Sequence, residues 1–133
     1  MTFQLTEPIL VIGLGGVGTR LAENTKKSLN SDCLMISHDQ NDITAENSIK
    51  ISTKSVVNPS THLIRGSTLE TSDEIKKNIT NYSTIILMSN LAGKAGTGIG
   101  PIVSKICKQE QKNLLSFTIM PFKFEKERIF QSG

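Results

Sequence analysis

Ile9-Leu10-Val11-Ile12-Gly13-Leu14-Gly15-Gly16-Val17-Gly18 decides the fold: a short apolar run, then glycines. An unbroken apolar run of this length is expected of a strand buried on both faces of a parallel sheet. The glycines let backbone N–H groups approach a ligand closely. Beyond them, Leu21, Ala22, Thr25 and Leu29 fall near one helical face. The same cadence returns at Thr84-Ile85-Ile86-Leu87-Met88, followed by Ala92-Gly93-Lys94-Ala95-Gly96-Thr97-Gly98-Ile99-Gly100 and Pro101. A single strand–glycine loop–helix unit is a phosphate-site pattern with many false positives; two in one small domain are a better clue.

Outward from these stretches, Cys33-Leu34-Met35-Ile36 reads as a second strand, ending at Ser37-His38-Asp39. Ile49-Lys50-Ile51 alternates and reads as a short third strand, in a segment whose pattern is otherwise weak from Gln40 to Thr61. A helix is expected from Thr68 to Asn81, with Leu69, Ile75 and Ile79 inward and Thr71 and Glu74 at capping-box spacing. Another is expected from about Ile99 to Lys112, closed by Asn113, before a last strand over Leu114–Ile119. Strands alternating with helices give an α/β fold: a doubly wound, Rossmann-like parallel sheet ordered 3-2-1-4-5, with helices on both faces. In that order strands one and four are neighbours, and ligands bind outside the carboxyl ends where the winding reverses. Both glycine loops then converge on one crevice.

The bulk properties exclude more than they assign. At 133 residues the chain is one domain, treated as a nucleotide-binding domain throughout. Its formal charge of +3 is small and its lysines are scattered, which suits solvated helix faces rather than a nucleic-acid surface. Aromatic residues at 5% are too few for a base-stacking platform. Cys33 and Cys107 each sit in an apolar pattern and read as buried reduced thiols; no Cys–His spacing suits zinc. His38 and His62 read as surface histidines. No leader pattern opens the chain and no apolar run is long enough to span a bilayer, so a cytoplasmic location without membrane insertion is expected.

Two readings of the phosphate chemistry follow. The first uses the first loop alone. Gly13, Gly15 and Gly18 fit the dinucleotide spacing, and Asp39, 21 residues beyond Gly18, stands where an acid holds a ribose. The stretch also resembles the opening of the ubiquitin-activating-like adenylyltransferases, which implies an NAD- or ATP-using Rossmann enzyme. The second reading uses both loops. Met88 to Pro101 resembles the FtsZ/tubulin signature GGGTGTG and its following proline, keeping Gly93, Gly96, Thr97, Gly98 and Pro101. Ile12–Gly18 resembles the first FtsZ glycine loop, Ile36–Asp39 stands where that family has I/V-N-T-D, and Asp73–Lys76 fits the helix before strand four. Pro121-Phe122-Lys123-Phe124-Glu125 matches the family's PFxFE. The resemblance runs from about Ile9 to Arg128 and is the favoured reading.

That resemblance implies a GTP/GDP-binding domain of an FtsZ-like protein that self-associates head to tail in cell division. Gly15, Gly16, Val17, Gly18 and Thr19 would wrap the phosphates, with magnesium entering through them. Gly93, Lys94, Ala95, Gly96, Thr97 and Gly98 would form the second cradle, Lys94 to Thr97 holding the β/γ end. Glu125 would touch the ribose, and Arg128, one position early, stands for the arginine near the base. The departures are specific. Lys94 replaces a glycine and Ala95 the signature threonine, so a hydroxyl is lost and a point charge gained. Thr19 and Arg20 replace a glycine and an asparagine, and the family's glycine-rich loop before its third helix is reduced to Asn58-Pro59. The family continues into a central helix and an acidic loop that activates water on a neighbouring subunit's nucleotide. No NxDxxD pattern occurs here. These departures keep a third reading open, a degenerate member that serves as a non-hydrolysing scaffold.

Overall fold

Strand β1, Ile9–Leu14, is buried along its whole length because it has a neighbour on each edge and packed residues on each face. The computed structural model describes residues 6–16, 31–39, 47–53, 59–90 and 94–119. Around β1 lie β2 (Asp32–Ser37), β3 (Ser48–Lys50), β4 (Thr84–Asn90) and β5 (Asn113–Ile119), all parallel, in the order β3-β2-β1-β4-β5. This is the doubly wound order expected from the strand–loop–helix cadence. Thr84 is buried at the foot of β4, and its hydroxyl donates to the Thr6 carbonyl at 2.7 Å.

Four helices connect the later strands: α1 (Thr61–Glu70), α2 (Ser72–Ile79), the single turn α3 (Lys94–Gly98) and α4 (Gly100–Gln109). The chain steps one way across the sheet from β1 to β3, then returns to β4 and β5. Right-handed crossovers put the two directions on opposite faces. The described helices belong to the return, and α1, α2 and α4 bury Ile64, Ile75, Ile79, Ile102, Val103, Ile106 and Cys107 against the Leu10, Ile12, Leu34, Ile36, Ile85 and Leu87 face. Alternate strand residues turn the other way. Ile9, Val11 and Ile86 form a second buried cluster there, joined by Cys33, Met88 and Leu115. The helix expected over Leu21–Leu29 lies outside the described residues.

The single helix expected from Thr68 to Asn81 is two helices. They meet at Thr71, whose ψ of 6° leaves the helical region. α1 begins seven residues earlier than expected, with the Ser60 hydroxyl accepting the Leu63 N–H at 3.3 Å. Its inward face holds only Ile64 and Thr68, and Thr68 is tolerated because its hydroxyl donates to the Ile64 carbonyl at 2.7 Å. Leu69, expected inside, is 50% exposed, because α1 takes its phase from Ile64 and Thr68 and the next residue lies about 100° further round the helix. The capping box is not made. The Thr71 hydroxyl donates backward to the Ser67 carbonyl at 2.8 Å, closing α1 instead of opening α2. Asp73 and Glu74 in the first turn of α2, and Lys76 and Lys77 in the last, complement its dipole.

α4 also ends earlier than expected. Pro101 starts it, where a missing N–H is harmless. Gln111, at φ 58°, ends it in the left-handed region. The Gln111 N–H donates to the Lys108 carbonyl and the Lys112 N–H to the Cys107 carbonyl, the paired bonds of a Schellman ending. Asn113, expected to end the helix, opens β5. Cys107 is a buried free thiol, pushed up to about 11 by burial, while Cys33 is free and half-buried. His62 is exposed as expected; His38 is half-buried, with an Nδ1 that is closed to solvent and has no hydrogen-bond partner among the described residues.

Candidate functional site

The site is built on the pairing of β1 with β4. Ile12 stands opposite Leu87 and Gly13 opposite Met88, so both strands release their loops side by side. β2 flanks β1 on the other side and carries Asp39 to the same carboxyl edge, roughly 5 Å of strand spacing away. The Asp39 N–H donates to the Ser37 hydroxyl at 3.1 Å, and residue 39 is exposed. β5 ends at Ile119 beside Asn90 on that edge too.

In the first loop, Gly15 has φ 72°, a left-handed conformation that a side chain would strain. Gly15 is buried and Gly16 half-buried, and helical backbone starts at these two residues. Val17, Gly18 and Thr19 lie outside the described residues. The second loop is itself helical. α3 takes Lys94 to Gly98, and Ile99, at φ −90° and ψ −40°, joins it to α4. Helical backbone therefore begins five residues before the position the periodicity suggested. Gly96 is half-buried and Thr97 exposed. Gly93 lies outside the described residues; Lys94 and Ala95 are placed by their helical backbone. Glu125 and Arg128 also lie outside the described residues.

The two loops are knit together behind the edge. A Cβ at Gly100 would stand 3.5 Å from Leu14 Cδ1, so the start of α4 rests on the end of β1. Gly98 is closer still to its neighbours. A Cβ there would lie 2.7 Å from Ile64 Cγ2 and 3.0 Å from Ile64 Cβ. Its lack of a side chain is what lets α1 approach α3. On the same interface, Arg65 Nη2 donates to the Thr97 carbonyl at 3.0 Å. Sequence reasoning missed Arg65 and the helix that carries it. The available signal was slight: Arg65 is the one Lys or Arg between Lys54 and Lys76.

The arrangement offers glycine backbone from two loops, on adjacent strands, at the place where the winding reverses. Such an edge binds an anionic ligand through main-chain donors. Among the described residues no helix is long and apolar enough to cross a membrane.

Comparison with known proteins bears on the family and the fold. The family model described as "Tubulin/FtsZ family, GTPase domain" matches residues 55–132. No curated protein matches the chain by sequence. Among solved structures, the fold is similar to an FtsZ dimer from M. jannaschii, with a TM-score of 0.73 at 21% identity, covering 91% of this chain and 38% of that one. It is also similar to the TubZ of Clostridium botulinum phage c-st, with a TM-score of 0.68 at 16% identity, covering 85% and 41% respectively. A protofilament of TubZ from Bacteriophage PhiKZ gives 0.61 at 19% identity, covering 83% and 37%. The chain thus spans about two fifths of the length of these neighbours.

Proposed function

The chain belongs to the tubulin/FtsZ family, and from that premise we propose that it is the guanine-nucleotide-binding part of a cytoplasmic FtsZ-like cytoskeletal protein that forms head-to-tail filaments in cell division. The observation that carries this reading is the β1–β4 pairing, which brings both glycine loops to one edge. Gly15, Gly16, Val17, Gly18 and Thr19 hold the phosphates from one side. Gly93, Lys94, Ala95, Gly96 and Thr97 hold them from the other, with Gly98 seating α3 against α1. Glu125 meets the ribose and Arg128 the base. The left-handed Gly15 supports the reading, since that backbone favours glycine and bares its main chain to a ligand. Magnesium enters with the phosphates; among the described residues no group of three or more His, Cys, Asp or Glu is arranged to hold a metal. When bound, the nucleotide supplies the phosphoanhydride, and this chain's residues bind and orient it.

The family does not favour the dinucleotide-enzyme reading. Calorimetry of the purified chain with GTP, GDP, ATP and NAD tests the choice. GTP and GDP are expected to bind and NAD to give no signal. Tight NAD binding without a GTP signal would overturn the proposal. Silence with all four nucleotides would leave the scaffold reading, which Lys94 and Ala95 motivate.

A further inference from the structure

We infer that Arg65 is the positioning residue of the second glycine loop: from α1, through the Thr97 carbonyl, it fixes where α3 presents its backbone to the nucleotide. The inference rests on the nucleotide-binding reading above. α3 is five residues long, too short to hold a helical turn by its own hydrogen bonds. Pro101, four residues beyond Thr97, has no N–H to offer the Thr97 carbonyl. Arg65 Nη2 supplies one, donating at 3.0 Å to Thr97 across 32 residues of sequence. A cation there also suits the negative end of the turn.

Two further features separate this contact from an ordinary surface arginine. Arg65 has no carboxylate partner among the described residues. Its Nε is closed to solvent and makes no hydrogen bond among the described residues, while its Nη2 reaches out to the exposed Thr97 carbonyl. Beside it, Gly98 allows Ile64 and the Thr61 carbonyl to close on the turn. Arg65 and Gly98 together make α1 the back wall of the second loop. A guanidinium at that wall also adds positive potential, which favours a phosphate in front of it.

The test uses the full chain with Arg65→Met, which keeps the apolar stem, and Arg65→Lys, which keeps a donor. GTP affinity is read by calorimetry, melting by circular dichroism, and amide exchange over 94–98 without nucleotide. Arg65→Met is expected to weaken GTP about tenfold, the worth of one charge-assisted hydrogen bond. Its melting point should stay within about 3 °C of wild type. Exchange over 94–98 should quicken while β1 and β4 stay protected, and Arg65→Lys should recover most of the affinity. Wild-type affinity in Arg65→Met overturns the assignment. So does an equal loss in both variants accompanied by an equal fall in melting point, which marks a purely structural residue. If the wild-type chain binds no GTP, the nucleotide reading fails on its own account. Exchange over 94–98 still decides whether Arg65 holds the turn.

Discussion

A methyl group at position 98 has nowhere to go. Ile64 Cγ2 can rotate away from it, but Ile64 Cβ, at 3.0 Å, is fixed to the α1 backbone, and the Thr61 carbonyl lies at 3.4 Å. Gly98→Ala should therefore push α1 off α3 and destabilise the fold by about 1–3 kcal/mol, the range for an overpacked core. Gly66 is the control within the same interface helix. A Cβ there meets nothing within 4 Å. Gly66→Ala should stabilise by about 0.5–1 kcal/mol through helix propensity alone. Urea melts of the two variants check both signs, and a Gly98→Ala protein as stable as wild type would deny the close approach. The comparison also shows why these glycines could not be told apart in the sequence. Gly98 sits in a phosphate signature and reads as a ligand glycine, yet its neighbour is Ile64, on a helix with only two inward residues. Arg65 was hidden for the same reason, since its partner Thr97 lies 32 positions away.

The elements divide by how much of their burial is local. β1 and β4 were legible because a strand covered on both faces needs consecutive apolar residues, and Ile9–Ile12 and Ile85–Met88 provide them. α1 was not, because Ile64 and Thr68 are its only buried side chains and Leu63 and Leu69 point outward. Thr71 and Glu74 have the spacing of a box, but spacing does not say which of two helices a hydroxyl will serve. At the amino-terminal edge of the sheet, one side-chain bond ties two elements. The Tyr82 hydroxyl donates to Asp32 Oδ2 at 2.6 Å, joining the turn before β4 to the start of β2. That bond, with burial and the nearby negative charge, pushes the phenol up to about 12 from its ordinary 10.0. The raised value means that the folded state keeps its proton longer than the unfolded chain does. Tyr82 therefore contributes its full stability below pH 10.0 and loses it as pH rises from there through about 12. Tyr82→Phe should cost about 0.5–1.5 kcal/mol at neutral pH, a modest figure for a bond near solvent. It should also remove that part of the alkaline fall. Denaturant melts at pH 7, 10 and 11.5 would show it, and parallel pH profiles for the two proteins would rule the bond out as a contributor.

For the molecule as a whole, the placement of its carboxylates bears on turnover. Hydrolysis of a nucleotide needs a positioned water as well as a phosphate cradle. The cradle edge is the carboxyl end of the sheet, beneath the two glycine loops. Of the aspartates, Asp32 is held by Tyr82 at the opposite edge and Asp73 lies in the first turn of α2; Asp39 alone of the described ones stands at the cradle edge. Asp39 sits just beyond β2, where the dinucleotide spacing would place a ribose contact, and Asp42 lies outside the described residues. In the family the water-orienting acids belong to the neighbouring subunit, in an NxDxxD pattern that does not occur in these 133 residues. Bringing two copies together does not supply them, and Ala95 stands where the resemblance places the signature hydroxyl. Residues 1–133 are therefore expected to bind GTP weakly, to release phosphate no faster than buffer, and to form no filaments alone. Phosphate release measured at high protein concentration, with light scattering in parallel, checks each part. Adding an intact FtsZ-type partner with its acidic loop should raise release if the two interfaces are compatible. Robust release that grows with the concentration of this chain alone would place a water-activating group within it, and Asp39, as the described carboxylate at the right edge, would be the first residue to replace with asparagine.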